Sequence, residues 1–470
     1  MMSCHSRAWR VLMLLAAMVP AACDLAPRYA PPVAPVPASF KERDGWALAV
    51  PGDDVPKGPW WRIFHDPVLD ALEDRVTIAN QDLRVAVAQY DEARADARTA
   101  QAGYYPTLDF TGSASRSGLS RETANVFNKS TFNSYSLGLD LQYEVDVWGR
   151  VRNTAKAGRA RAQASAGDLA TVDLSLHAEL ATDYFTLRGY DAMQAVLDQT
   201  VGNYRHALAL TQAQFDVGYA AQPDVSAATA QLDGLLTQAA DNRLRRAMLE
   251  HAIAILTGQP PATFAVAARS LDSAPPPIAP GLPVALLQRR PDIAAAERRV
   301  AAANADIGVA RAAYFPAFNI NAMMGVQAAM PNHLLVAPAQ AWSFGPEALL
   351  NVFDGGRRAA LNAHARAVYD EEVARYRQTV LDACRDVEDS LVSLRRLAEE
   401  SATQQQAVIA AQDATHRAGE LNTGGLASYY NVILARNIEL SDRLSEVDIR
   451  VRRMTASVAL IKALGGGWGG

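Results

Sequence analysis

The sequence predicts a mostly α-helical chain that carries four short β-strands and lays down the whole pattern twice. Three observations lead there. Apolar and polar residues alternate six times between Ser136 and Val147, two helical patterns each run for more than 60 residues, and the second half repeats the first. With 470 residues, half of them hydrophobic, the chain can bury an extensive core. A formal charge of −5 gives no basic excess for nucleic acid, so none is expected as a partner.

In chain order, "MMSCHSRAWRVLMLLAAMVPAAC" sets Arg7 and Arg10 before an apolar run, as an export signal does over residues 1–22. Cys23 closes it. "AAC" resembles the lipobox of bacterial lipoproteins, which implies a lipid on the Cys23 thiol; the plainer alternative is an incidental residue near a cleavage point. Pro20 departs from that motif, and Asp24 resembles an inner-membrane retention signal of enteric bacteria. Residues 23–60 are proline-rich and expected to be extended. Beyond residue 23 no apolar run reaches the length a membrane-crossing helix needs, so any crossing must be made of strands.

The repeat occupies 61–258 and 284–464, joined by a proline-rich linker at 259–283 and followed by a tail at 465–470. "GYYP" at 103–106 matches "AYFP" at 313–316, a shift of 210; Gly149, Gly218 and Gly258 match Gly356, Gly425 and Gly465, a shift of 207. Each copy opens with a helix, "LDALEDRVTIANQDLRVAVAQYDEARADARTAQAG" or "PDIAAAERRVAAANADIGVARAA". Two strands follow, then a helix from Gly149 to Asp216 or from Gly356 to Ala418, about 100 Å at about 1.5 Å per residue. Helices of that length need neighbours along them, and their many alanines permit close antiparallel packing. Glycine and proline break each one, in "VGYAAQPDV" and "TGGLASYYNV", before a return helix at 224–257 or 428–464.

Strand faces decide the environment. Leu137, Leu139, Leu141, Tyr143 and Val145 share one face, and Asp140, Glu144 and Asp146 the other. "PTLDFTGSAS" sets Leu108 and Phe110 against Asp109; "FPAFNINAMMG" sets Phe318, Ile320 and Met324 against Asn319 and Asn321; "AWSFGPEALL" sets Trp342, Phe344 and Leu350 against Glu347. Alternation alone would suit a soluble sandwich. Export, aromatic residues near the strand ends and the lack of a second sheet make lipid the expected cover. Four strands cannot close, and an open edge is not tolerated in hydrocarbon, so copies must combine. Two chains would give an eight-stranded barrel filled by side chains; three give twelve strands and a lumen. Asp109, Asp140, Glu144, Asp146 and Glu347 pointing inward need water, which favours three. The expected fold is therefore a trimeric twelve-strand β-barrel continued by a trimeric α-barrel.

These residues resemble the outer-membrane efflux factor family, the TolC-type channels of tripartite pumps, in its lipoprotein branch. The similarity rests on "CDLAPRYAPP", "WWRIFHDPVLDAL", "LLQRRPDIAAAERRVAAANADIGVARAAYFP" and "NVFDGGRR". It implies a homotrimer in the outer membrane, extending into the periplasm, with a periplasmic adaptor and an inner-membrane RND-type pump as partners. It makes the two helix breaks the periplasmic tips: Gly218, Gln222, Gly425 and Ser428 for adaptor contact, Leu421, Asn422, Tyr429 and Tyr430 for the constriction. Plain turn chemistry is the alternative at each.

No catalytic, metal or cofactor constellation is visible: the histidines are scattered, and there is no HExxH, CxxC or phosphate loop. The function expected is a passive exit duct for drugs or other small toxic compounds. Its alternatives are an envelope scaffold or adhesive lipoprotein without a lumen or, within transport, a heavy-metal or protein-secretion channel.

Overall fold

The computed structural model describes residues 24–42, 58–118, 131–271, 274–276, 278 and 289–466. The export signal, Cys23 and parts of the linker and tail lie outside the described residues. The element order is a short 3-10 turn (Trp60–Phe64), α1 (Pro67–Ala79), α2 (Gln81–Ala102), β1 (Thr107–Gly118), β2 (Thr131–Val145), α3 (Arg150–Asp216), α4 (Gln222–Leu256), α5 (Pro291–Ala312), β3 (Ala317–Ala328), β4 (Gln340–Leu349), α6 (Arg357–Thr423) and α7 (Tyr429–Ala463). The contacts divide these into two compact units. One holds the four strands with residues 24–33, 89–166 and 295–376; the other holds 34–88, 167–294 and 377–466.

The duplication is carried into the helix lengths, since α3 and α6 are 67 residues each and α4 and α7 are 35 each. α6 thus runs on to Thr423, past the expected end near Ala418. The opening helix of the first copy is not continuous. Asn80, at φ −64° and ψ 130°, separates α1 from α2. Its side chain accepts from the Leu83 N–H at 2.9 Å, capping α2, and donates to the Leu256 carbonyl at 2.9 Å.

That junction recurs in the second copy. Arg290, also one residue before its helix, donates to the Ala463 carbonyl at 3.2 Å. Both return helices end in the same paired turn. Gly258 N–H reaches Ile255 O at 3.0 Å and Gln259 N–H reaches Ala254 O at 2.8 Å; Gly465 and Gly466 reach Lys462 and Ile461, both at 3.0 Å. Gly258 and Gly465 lie in the left-handed region, at φ 68° and 89°. A Cβ on Gly258 would sit 2.5 Å from Ala79 O, and one on Gly465 2.9 Å from Arg289 O. Only glycine fits where the return helix meets the start of its own copy.

In the second unit the helices pack through apolar stripes. Val196, Leu197, Val201 and Tyr204 of α3 bury against Leu232, Leu235 and Ala239 of α4 and Leu440 of α7. Each large side chain so buried contributes about 1.5–3 kcal/mol. In the first unit alanines set the spacing: Ala155, Ala157, Ala160, Ala162 and Ala164 are buried along α3.

The strands form one antiparallel sheet in the order β1-β2-β3-β4. Its register pairs Asp109 with Asp140, Glu144 with Asn319, and Asn319 with Glu347. Cross-strand partners share a face, so these polar residues line one side, and Phe110, Leu139, Met324 and Trp342, linked by the same register, line the other. β2 and β4 stop at Val145 and Leu349, so Asp146 and Leu350 fall just outside the strands in which alternation had placed them.

Gly258→Ala should lower the thermal midpoint of the detergent-purified protein by the equivalent of about 1–3 kcal/mol, from left-handed strain and the clash with Ala79. Gly202→Ala, in the interior of α3 with open space around it, should leave the midpoint unchanged or raise it.

Candidate functional site: the sheet faces and the helix-breaking turns

The apolar face of the sheet is bare among the described residues. Phe110, Met324 and Trp342 are 73%, 75% and 78% exposed, and Leu108 and Phe344 are exposed beside them. Water is a poor neighbour for a contiguous row of this kind. At one end of the sheet aromatic side chains collect. Trp148 stacks on Phe315 with centroids 4.6 Å apart and donates from Nε1 to Pro316 O at 2.9 Å, while Tyr105 and Phe353 are exposed. An apolar band edged by aromatic residues is the pattern of a strand sheet in a bilayer.

The opposite face is polar. Thr111 donates to Asp140 at 2.6 Å, Ser113 and Ser136 lie 2.8 Å apart, and Asn321 donates to Glu347 at 3.3 Å. Asp109 sits directly opposite Asp140. Two like charges paired across strands repel unless water screens them. Thr107, Gln142, Glu144, Asn319, Asn321 and Glu347 line a cleft on this side, and Glu144 forms an ion pair with Arg150.

Asp146 has a different task from its expected one on the strand face. Its carboxylate accepts from the Val151 and Arg152 N–H groups at 3.1 and 2.9 Å and pairs with the Arg152 guanidinium at 3.0 Å, so it caps α3. Asp354 does the same for α6, accepting from Gly356 N–H and Arg358 N–H and pairing with the Arg358 side chain at 2.7 Å. The weld between strand and long helix is therefore an aspartate cap followed within the first helical turn by its arginine, used twice. Sequence reading missed it because Asp146 also fits the alternation of β2.

The first described residues are held against this unit. Asp24 pairs with Lys156 and accepts from Asn153 at 2.8 Å, Asn304 donates to Pro27 O at 2.9 Å, and Arg311 donates to Leu25 O at 3.1 Å.

The two helix breaks share one geometry. Gly218 N–H bonds Phe215 O and Tyr219 N–H bonds Gln214 O; Gly425 N–H bonds Asn422 O and Leu426 N–H bonds Leu421 O. Gly218 and Gly425 are left-handed, at φ 82° and 73°. Gln222 opens α4, and Ser428 precedes α7 with no side-chain cap bond. Polar stapling differs between the copies: Asp224 accepts from Ala221 N–H at 2.9 Å in the first, whereas Asn422 donates to Ala427 O at 3.0 Å in the second. Leu421 and Tyr430 are exposed, and Asn422 and Tyr429 partly buried. Tyr219 and Leu426, 90% and 80% exposed, project from equivalent positions directly after the glycines. They were missed; the signal was a bulky apolar residue following a left-handed glycine in both copies.

The outer membrane efflux protein family matches residues 74–259 and 282–466. The toluene efflux pump outer membrane protein TtgC of Pseudomonas putida is 30% identical over 449 residues, covering 95% of this chain and 93% of that protein. The pyoverdine export outer membrane protein OpmQ of Pseudomonas aeruginosa is 33% identical over 422 residues, 87% of each. Among solved structures, the outer-membrane channel OprN superposes with a TM-score of 0.88 at 29% identity, over 95% of this chain and all of that one. The chain belongs to the outer membrane efflux protein family of TolC-type channels, non-catalytic conduits that form the outer-membrane exit of tripartite efflux pumps.

Proposed function

We propose that three copies of this chain close a twelve-strand barrel around water and conduct drugs or other small toxic compounds out of the cell. The observation that carries this is the sheet: four strands, two free edges, one bare apolar face and one face of Asp109, Asp140, Glu144 and Glu347. Hydrocarbon accepts the first face only if the edges are paired, and the second only if it encloses solvent. A scaffold without a lumen has no use for opposed aspartates at that depth. The names of TtgC and OpmQ, toluene and pyoverdine export, support small organic cargo of varied polarity.

The tips meet a periplasmic adaptor, through Gly218, Gln222, Gly425 and Ser428 together with the exposed Tyr219 and Leu426, and an inner-membrane RND-type pump supplies the energy. Leu421, Asn422, Tyr429 and Tyr430 narrow the conduit. Cys23 carries a lipid; its neighbour Asp24, held at the start of α3 close to the end of β2, supports an anchor at the membrane surface.

Purified in detergent, the protein should have the mass of a trimer and open aqueous, ion-conducting pores in planar bilayers; a monomer, or a trimer without conductance, would overturn the reading. Tyr429→Ala combined with Tyr430→Ala should raise single-channel conductance, and an unchanged value removes them from the constriction. Mass spectrometry of the mature N-terminal peptide should find acyl chains on Cys23, and Cys23→Ser should lack them.

A further inference from the structure

The second unit contains a buried charge pair for which a conduit wall has no need. Glu73 of α1 is fully buried and His177 of α3 is 3% exposed. His177 Nδ1 lies 2.5 Å from Glu73 Oε2. On the other side of the ring, Nε2 lies 3.4 Å from Thr77 Oγ1 and 3.5 Å from Asp173 Oδ1. Trp61, from the 3-10 turn, stacks flat on the same imidazole with centroids 4.4 Å apart and planes 19° from parallel. One histidine thus joins three segments: the turn, α1 and the long helix.

The turn and α1 form a strap clipped to α3 at further points. Phe64 packs on Phe185 at 4.8 Å, Tyr184 donates to Asp66 at 2.7 Å, and Trp60 is buried beside Trp61. Between turn and helix the chain passes through His65 at φ 51°. That conformation costs about 1 kcal/mol or more in a residue with a Cβ, so the flanking contacts must hold it. Of the ion pairs the strap makes among the described residues, the Glu73–His177 pair is the one enclosed on both sides, at 0% and 3% side-chain exposure.

We propose that the Glu73–His177 pair is a proton-dependent latch that holds the Trp60–Phe64 strap and α1 on the long helix, closed at mildly acidic pH and loosened at alkaline pH. The charge inventory supports the direction. Glu73 of α1 and Asp173 of α3 face the imidazole directly and Asp70 of α1 acts on Glu73, while Asp66, Asp74, Arg62 and His65 lie a step further out, around Asp70. An excess of negative charge around one buried ring binds its proton more tightly than the unfolded chain does. Burial pushes Glu73 up to about 7, against the pull of His177. Burial lowers the imidazole, but its bonds to Asp173 and Glu73 outweigh that and raise His177 to about 9. Both groups hold protons more tightly folded than unfolded, so both contributions are complete at low pH. That of Glu73 fades between its ordinary value near 4.5 and about 7, and that of His177 between its ordinary value near 6.5 and about 9. Glu73 Oε1 has no partner among the described residues, so an ionised carboxylate there is only half satisfied once His177 is neutral.

Limited trypsin digestion of the purified full-length protein tests this, because Arg62 is exposed on the strap itself. Cutting after Arg62, normalised to an unstructured reporter peptide, should accelerate between pH 7 and 9 by up to about tenfold per pH unit, the limit for one released proton. The apolar replacement Glu73→Ile with His177→Val should flatten that dependence while leaving the trimer intact. Should that variant fail to fold, Glu73→Gln keeps the shape of the pair and should move the acceleration to lower pH. A wild-type rate independent of pH, or the same profile in the wild type and a folded variant, overturns the latch.

Discussion

Everything in this chain follows from a sheet that cannot complete itself. Four strands leave backbone donors and acceptors unpaired along two edges, and each unpaired group in hydrocarbon costs several kcal/mol. The same sheet shows Phe110, Met324 and Trp342 to its surroundings on one side, which water disfavours by about 25 cal/mol per Å². Lipid removes the second cost only if sister strands remove the first. In the barrel proposed above, the opposed Asp109 and Asp140 would line the inner side, where a dry interior would confine like charges at short range.

The sheet is carried by rigid supports, and the duplicated helices build them with few devices. An aspartate followed by its arginine starts each long helix, a left-handed glycine ends each of the four long and return helices, and a polar side chain before α2 and before α5 ties down the last carbonyl of the return helix. The tie is asparagine in one copy and arginine in the other. Position rather than chemistry is what the repeat preserves there, since either side chain reaches the same carbonyl. Arg290 also pairs with Asp292 and Asp386, so the second junction carries charge that the first replaces with a tight asparagine cap.

The sequence made legible whatever has a period. Strand faces were readable because one side meets an apolar and the other a polar environment along the whole strand, and the long helices because no compact domain needs so many turns without a break. Where two roles fit one residue, the pattern misled: Asp146 continues the alternation of β2 yet caps α3, and Asn80 sits within a helical rhythm that it interrupts. The Glu73–His177 pair was invisible for another reason. Its members are 104 residues apart, and each alone reads as an ordinary polar residue on a helix; only packing α1 against α3 removes them from water. Likewise the tip tyrosine and leucine carry no period, and their exposure depends on the backbone turn beneath them.

The two tips show how a repeat can diverge without changing its fold. Both use the same paired hydrogen bonds and left-handed glycine, so the turns themselves are equally well formed. In the first, Asp224 binds the backbone of Ala221 and holds the start of α4; capping of this kind stabilises a helix start by about 1 kcal/mol. In the second, Ser428 makes no such bond, and the turn is tied instead by Asn422 donating to the Ala427 carbonyl. The second helix start therefore lacks the capping bond of the first, while its turn keeps a polar tie of its own. In the function proposed above, the constriction of Leu421, Asn422, Tyr429 and Tyr430 lies on the tip whose helix start carries no side-chain cap, so its turn can change shape without breaking one.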